Sequence, residues 1–291
     1  MEVSADPQLA DLAMNDHACL TFGDAEELLD LTAAFIRDGL ASGLKVLWVG
    51  GAAGQLEFVL AERGLAVKSA VESGQISAVG VEGHVLSDQA AFESARAIRW
   101  LTRQIDASRA QGFAGLGVAL DMSWALRPIS GVEQLPDFED RVAAATTDAR
   151  ATILCAYDRE RFDPVTLASV TPMHTRSVAA ATYHADAILR ICRQYAPPGI
   201  RIAGEIDYRA EEPLTLALAE ALRIDTDITT VNMADLRFID ATCARMILNA
   251  AGSLGGTRKM ILRCPPSVAR WLTVFGAGDV PGVSVVTVHE R

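Results

Sequence analysis

Leu116-Gly117-Val118-Ala119-Leu120-Asp121-Met122 is an unbroken apolar run interrupted only by an acid near its end. A strand with one wet face alternates apolar and polar residues. A strand apolar at every position is buried on both faces, as in the centre of a parallel sheet. Working outward, residues 18–22, 45–49, 76–79 and 151–157 read as further short strands, mostly apolar. The segments between them carry the helical period instead. Residues 25–40 place Leu28, Leu29, Leu31, Phe35, Ile36 and Leu40 at helical spacing, with Gly39 and Gly43 bracketing the end. Residues 51–64, 92–111 and 135–147 read as three more helices. Strand and helix alternate, so residues 15–178 are expected to form an α/β domain with a mostly parallel sheet and flanking helices.

Tyr195-Ala196-Pro197-Pro198-Gly199 is the clearest punctuation in the chain. Residues 188–193 and 200–206 flank it and can pair as two strands. Beyond them the pattern predicts helices over 213–222, 242–254 and 267–275, and strands over 228–233, 259–262 and 283–288. Residues 185–291 therefore read as a second, smaller α/β domain.

The 291 residues are half apolar and 22% charged, a globular composition rather than a disordered one. No run approaches the ~18 apolar residues that cross a bilayer, and the first residues lack the layout of a signal peptide. A cytoplasmic protein without membrane contact is expected. The net charge is −11, with 26 acidic and 16 basic residues before Gly199 and 11 and 10 from there on. No basic stripe is present, so direct nucleic-acid binding is not expected. Five cysteines stand singly with no C-x-x-C pair, which argues against a disulfide framework and a structural zinc.

Enzymatic motifs are weak. Gly50-Gly51-Ala52-Ala53-Gly54-Gln55 follows a strand and precedes a helix, but it lacks the lysine of a phosphate-binding loop. Asp121 stands where nucleotide hydrolases hold a metal, with no such loop to serve. The histidines His17, His84, His174, His184 and His289 show no metal-ligand spacing, so no metal and no cofactor are expected. No catalytic serine or cysteine is paired with a histidine by any motif, and the chain is expected not to be an enzyme. The ends of two strands are more suggestive. Trp124 and Tyr157 can wall a mostly apolar ligand pocket, with Asp121 and Glu139 as its polar contacts. Alternatively they are core aromatics and helix caps.

Val231–Ala250 holds the other informative pattern. An apolar strand ends at Phe238-Ile239, Asp240 breaks it, and a helix begins near Thr242. That puts a hydroxyl on a first helical turn, where free N–H groups favour added negative charge. Asp240 and Thr242 can equally cap the helix.

Residues 185–291 resemble the STAS domain of bacterial anti-sigma factor antagonists. The resemblance rests on Gly204-Glu205-Ile206-Asp207, on Asp235-Leu236-Arg237-Phe238-Ile239-Asp240, and on the order of the later elements. The family motif continues with Ser, then Ser or Thr, then Gly; here it reads Ala241-Thr242-Cys243. The resemblance implies Thr242 as phospho-acceptor and Asp207, Asp240, Ala241, Thr242, Cys243 and Met246 as the docking surface. The implied partner is an anti-sigma factor with a histidine-kinase-like ATPase fold.

Residues 15–178 resemble the MEDS sensory domain, a relative of the RecA/KaiC-type ATPase fold. The matching residues are Asp16-His17-Ala18-Cys19, Met122-Ser123-Trp124, Phe138-Glu139, Leu154-Cys155-Ala156-Tyr157-Asp158 and His174. The resemblance implies a small-molecule sensor whose ligand-binding candidates are His17, Asp121, Trp124, Glu139, Tyr157 and His174. The two together imply a non-enzymatic partner-switching regulator. A stressosome-like STAS scaffold with self-association, and a residual nucleotide hydrolase in the first domain, are the alternatives.

Overall fold

The order of elements is what the apolar runs and helical periods lead one to expect. The computed structural model describes residue 9 and residues 12–50, 54–87, 91–147, 149–255 and 257–288. The chain divides into two compact units, Met1–Ala179 and Ala180–Arg291.

The first unit runs β1 (His17–Phe22), α1 (Ala25–Ala41), β2 (Lys45–Val49), α2 (Leu56–Ala61), α3 (Lys68–Glu72), β3 (Ile76–Val79), α4 (Ser94–Ala110), β4 (Leu116–Asp121), α5 (Leu135–Thr146), β5 (Ala151–Asp158), α6 (Pro164–Val170) and β6 (Arg176–Val178). Its sheet has the order β3-β2-β4-β5-β1-β6, and every described pairing is parallel. Residues 116–120 and 151–157 are buried at every position, as the continuous apolar runs require. Each buried Leu, Ile or Val contributes roughly 1.5–3 kcal/mol of transfer free energy, so β4 and β5 anchor the unit.

In-register pairing of β1 with β5 sets Cys19 beside Cys155 and Thr21 beside Tyr157. Partners in register share a face, so His17, Cys19, Ile153, Cys155 and Tyr157 point to one side of the sheet. That side carries Phe138 and Val142 of α5 in its core. α5 starts where it does because Gly131 turns the chain at φ +89, with Pro136 in the first helical turn. A Cβ at Gly131 would stand 1.9 Å from the Phe92 carbonyl oxygen, so this close approach admits only glycine.

The expected helix over 51–64 is the shorter α2, and residues 51–53 lie outside the described ones. α3, α6 and β6 carry too few residues to show a period, and the sequence did not announce them.

The second unit contains β7 (Thr182–Ala185), β8 (Leu189–Tyr195), β9 (Pro198–Ile206), α7 (Glu211–Arg223), β10 (Ile228–Asn232), β11 (Leu236–Ile239), α8 (Ala241–Gly252), β12 (Lys259–Cys264), α9 (Pro266–Val274) and β13 (Val283–Thr287). Its sheet is mixed, β13-β12-β10-β9-β8-β7, with β11 paired to β9. β8 and β9 form an antiparallel hairpin across the Pro-Pro-Gly punctuation. Gly204, at φ +99, lets β9 pass the Ile188 carbonyl, which a Cβ would meet at 1.9 Å. α7 ends on a clamp: the Arg258 guanidinium donates to the carbonyls of Leu222, Thr226 and Ile224 at 3.0, 3.2 and 3.1 Å. These are carbonyls at and just beyond the end of the helix, the groups a cation satisfies best.

Candidate functional site

Glu139 lies on α5, and its neighbours in the helix, Phe138 and Val142, are core residues. Its side chain is fully buried against the face of the sheet that bears His17, Cys155 and Tyr157. One carboxylate oxygen, Oε1, accepts the Tyr157 hydroxyl. The other, Oε2, meets three groups: His17 Nε2 at 3.0 Å, His174 Nε2 at 3.5 Å and Cys155 Sγ at 3.5 Å. Cys155 Sγ is also 3.5 Å from His17 Nε2. His174 follows the single turn Thr171–Met173, and its Nδ1 donates to the Val170 carbonyl at 2.9 Å. That bond fixes the tautomer and leaves Nε2 as a bare lone pair turned inward. The two imidazole rings pack tilted at 33°, 4.1 Å between centroids.

The electrostatics follow from burial. Burial alone pushes the Glu139 carboxyl up, but the hydrogen bond from His17, the charges of the imidazoles and the Tyr157 hydroxyl outweigh it and hold it below its ordinary value. Burial pulls His174 down to about 4, although Glu139 opposes this. Burial and the Glu139 charge push the Cys155 thiol and the Tyr157 hydroxyl well up, and Cys19 up to about 12. Glu139 is therefore held as a carboxylate, while the Tyr157 hydroxyl and the Cys155 thiol keep their protons.

This arrangement is poorly built for nucleophilic catalysis. A relay needs one imidazole nitrogen for the nucleophile and the other for the carboxylate. Here Cys155 and Glu139 meet the same nitrogen, and the thiol is held protonated. The ligand set His17, Glu139, Cys155 and His174 is instead one that can hold a metal, since one ligand atom from each lies within 4.8 Å of all the others. Histidine spacing gave no sign of this set. Four segments separated by up to 157 residues meet only in the fold, so no spacing rule sees them.

Of the six ligand-binding candidates, the structure brings together His17, Glu139, Tyr157 and His174, and adds Cys155. Tyr157 lies inside β5 rather than beyond its end. Asp121 and Trp124 stand apart from this convergence. Asp121 caps the turn Met122–Leu126, accepting from Ser123 N at 2.9 Å. Trp124 is core, packed on Phe92 at 4.5 Å between centroids. A groove of about 340 Å³ adjoins the cluster, lined among others by Leu126, Leu135, Phe162 and Val170. Phe162 packs edge-on against Tyr157 at 5.1 Å, and Val170 holds His174, so the groove and the cluster share their wall.

The family model of the MEthanogen/methylotroph, DcmR Sensory domain, MEDS, matches residues 16–175, more than half of the chain. The chain belongs to the MEDS family. The match spans every residue of the Glu139 cluster in this MEDS chain. No curated protein matches it. Among solved structures, a KaiC-like protein from Pyrococcus horikoshii OT3 is similar at 13% identity and TM-score 0.46, covering 66% of this chain and 79% of that one.

The strand-to-helix turn after β1 offers little to a phosphate. β1 passes into α1 through Gly23-Asp24 alone. Asp24 accepts from Glu27 N at 2.9 Å, and Glu27 accepts from Gly23 N at 2.8 Å while pairing with Arg159 at 3.1 Å. The chain's own carboxylates thus sit where an anion would. Of the Gly50–Gln55 loop, residues 51–53 are outside the described ones, as is His289. Among the described residues no helix is long and apolar enough to cross a membrane.

In the second unit, Asp240 caps α8 through Oδ1, which accepts from Cys243 N at 2.8 Å, while Oδ2 accepts from Tyr208 N at 2.9 Å. Thr242 is exposed on the first turn, and Asp207 is bound by Arg209. Cys243 is a correction to the docking set. It is fully buried, with Sγ donating to the Asp207 carbonyl at 3.2 Å, so it holds the 207–210 loop to α8 and cannot touch a partner. Burial and Asp240 push its thiol up to about 12. Met246 is half-buried and packs on the core. Sequence reasoning missed Tyr208, 64% exposed on the loop whose N–H Asp240 binds, and Phe238, 52% exposed on the strand that leads to Asp240. Two large aromatic residues in exposed positions of an otherwise ordinary motif were the available signal.

Proposed function

We propose that this chain is a non-enzymatic signalling regulator. Its MEDS unit senses a small molecule through the Glu139 cluster and the adjoining groove, and its second unit docks on an anti-sigma factor of histidine-kinase-like ATPase fold. The second unit is read as STAS-like. Its docking surface comprises Asp207, Tyr208, Asp240 and Thr242, and its switch is a phosphate on Thr242. The family match supports the sensing half. The observation that carries the docking half is Thr242 itself. Its side chain is exposed on the first turn of α8, between Asp240 and Cys243, which are both locked into the fold.

A phosphate there adds about 1.5–2 negative charges to a surface already carrying Asp207 and Asp240. A partner shaped to the unmodified surface then meets both bulk and repulsion. The test uses the full chain as bait in native extract, comparing Thr242 with Thr242→Asp and identifying captured proteins by mass spectrometry. An ATPase of histidine-kinase-like fold should be retained by the first form and lost by the second. Equal capture by both forms removes phospho-control. Retention of STAS-type proteins only moves the reading to a self-associating scaffold.

A further inference from the structure

We propose that His17, Glu139, Cys155 and His174 bind one divalent transition-metal ion of the zinc class in the interior of the MEDS unit. The inference deepens the sensing reading of the same cluster and shares its premise that these buried groups serve a ligand.

Geometry carries the argument. With ordinary bond lengths of ~2.0–2.1 Å to imidazole nitrogen, ~2.0–2.2 Å to carboxylate oxygen and ~2.3 Å to sulfur, the edges of a tetrahedron are ~3.3–3.6 Å. The Sγ–Nε2, Sγ–Oε2 and His174 Nε2–Oε2 separations are each 3.5 Å, and the His17 Nε2–Oε2 separation is 3.0 Å. These are four of the six edges, and one ligand atom of each residue lies within 4.8 Å of all the others, so an ion entering between them widens the short edge and draws in any long one. Glu139 presents Oε2 to the ligands because Tyr157 occupies Oε1. His174 presents Nε2 because Val170 occupies Nδ1. Both are outer partners of the kind that orient metal ligands.

Two buried atoms without hydrogen-bond partners point the same way. His174 Nε2 and His17 Nδ1 have none among the described residues, although both side chains are fully buried. A bare Nε2 lone pair turned into a buried cluster costs free energy unless something takes it up. Charge completes the case. A divalent ion with one carboxylate, one thiolate and two neutral imidazoles is electrically neutral, which the interior tolerates. Binding releases the Cys155 thiol proton to solvent, and the ring proton that His17 Nε2 donates to Glu139 moves to Nδ1 as Nε2 takes the ion. A mixed nitrogen, oxygen and sulfur set favours zinc, cobalt or their neighbours over magnesium or calcium. Four protein ligands leave no open position, so the ion is structural or regulatory rather than hydrolytic. Its ligands come from β1, α5, β5 and the segment after α6, so occupancy ties all four together.

The test titrates the full-length, chelator-treated chain with Co²⁺, whose visible spectrum distinguishes tetrahedral from octahedral sites. The expected result is one Co²⁺ per chain, a tetrahedral spectrum with a thiolate-to-cobalt charge-transfer band, and displacement by Zn²⁺. Cys155→Ser should abolish that band, whereas Cys264→Ser in the second unit should keep it. Tyr157→Phe, which spares every ligand, should weaken binding by roughly 10- to 100-fold. Absence of a saturable one-to-one tetrahedral complex in the unmodified chain overturns the proposal, as does a charge-transfer band that survives Cys155→Ser. Partner capture repeated with metal-free and metal-loaded chain separates the two readings. Metal bound with capture unchanged supports the site and removes its sensing role. No metal bound, with capture intact, overturns the site and leaves the docking half standing.

Discussion

Replacing Tyr157 with Phe removes one hydroxyl, yet its effect should change sign with residue 139. In the native cluster the hydroxyl donates to a buried, ionised Glu139. Hydrogen bonds to charged groups are worth about 1.5–3 kcal/mol, so Tyr157→Phe should destabilise the MEDS unit by that amount. Glu139→Leu removes the acceptor shared by Tyr157, His17 and Cys155 and leaves buried donors unanswered. Each buried donor so orphaned costs about 1–3 kcal/mol. Once Glu139 is Leu, the Tyr157 hydroxyl is an orphan, and Tyr157→Phe should stabilise the unit by about 1–3 kcal/mol. The double-mutant cycle therefore predicts a coupling above ~2 kcal/mol with a reversal of sign. The assay is urea unfolding followed by tryptophan fluorescence in a Trp271→Phe background. Trp271 is 55% exposed, and the remaining Trp48, Trp100 and Trp124 all lie in the MEDS unit. The unit's own transition is then read without the second. Equal destabilisation by Tyr157→Phe in both backgrounds would refute the reasoning, because it would mean that the hydroxyl matters only for its size.

Three further outcomes follow from the geometry. Gly131→Ala forces φ +89 on a residue with a Cβ and drives that Cβ to 1.9 Å from the Phe92 oxygen, so it should cost at least ~1–3 kcal/mol in the same assay. Arg258→Ala strips the guanidinium from three carbonyls and should destabilise the second unit by about 1.5–3 kcal/mol; Arg258→Lys, with one ammonium for three acceptors, should recover only part, as seen by thermal unfolding. The metal-free MEDS unit should lose stability in mild acid. His174 titrates at about 4 when folded and near 6.5 when unfolded, so its contribution is whole above pH 6.5 and falls toward pH 4 by at most ~3 kcal/mol. Unfolding free energies at pH 7.5, 6 and 5 should show this slope in the native chain and a shallower one in His174→Gln.

The sheet strands were legible because burial on both faces leaves an unmistakable mark. The runs at 45–49 and 76–79 coincide with β2 and β3, and 116–122 overruns β4 by one residue. β6, at three residues, carries no period at all, and α6 opens on a proline and closes within seven residues. The cluster was half legible. Alternation already puts residues 17 and 19 on one face of their strand, and 153, 155 and 157 on one face of theirs. What the sequence could not say is that β1 and β5 pair in register, or that Glu139 rather than Glu133 or Asp140 covers them. Those are facts of tertiary packing. Cys155 was overlooked as a ligand because a lone cysteine in an apolar strand looks like any small core residue. Trp124 and Asp121 misled for the converse reason, since a strand end is where a crevice is usually sought.

The two-residue passage from β1 into α1 constrains what this lineage can become. A phosphate cradle requires several residues of loop between strand and helix. Here Asp24 and Glu27 close the helix start from within, and Arg159 ties Glu27 to the end of β5. No single substitution lengthens that turn, and each carboxylate removed uncovers an amide or a guanidinium that folding now relies on. Opening this end of the sheet to a phosphate needs an insertion and the replacement of both carboxylates, and each step alone leaves a group unpaired. Ordinary stability thus holds this turn closed to phosphate, whatever changes elsewhere in the unit.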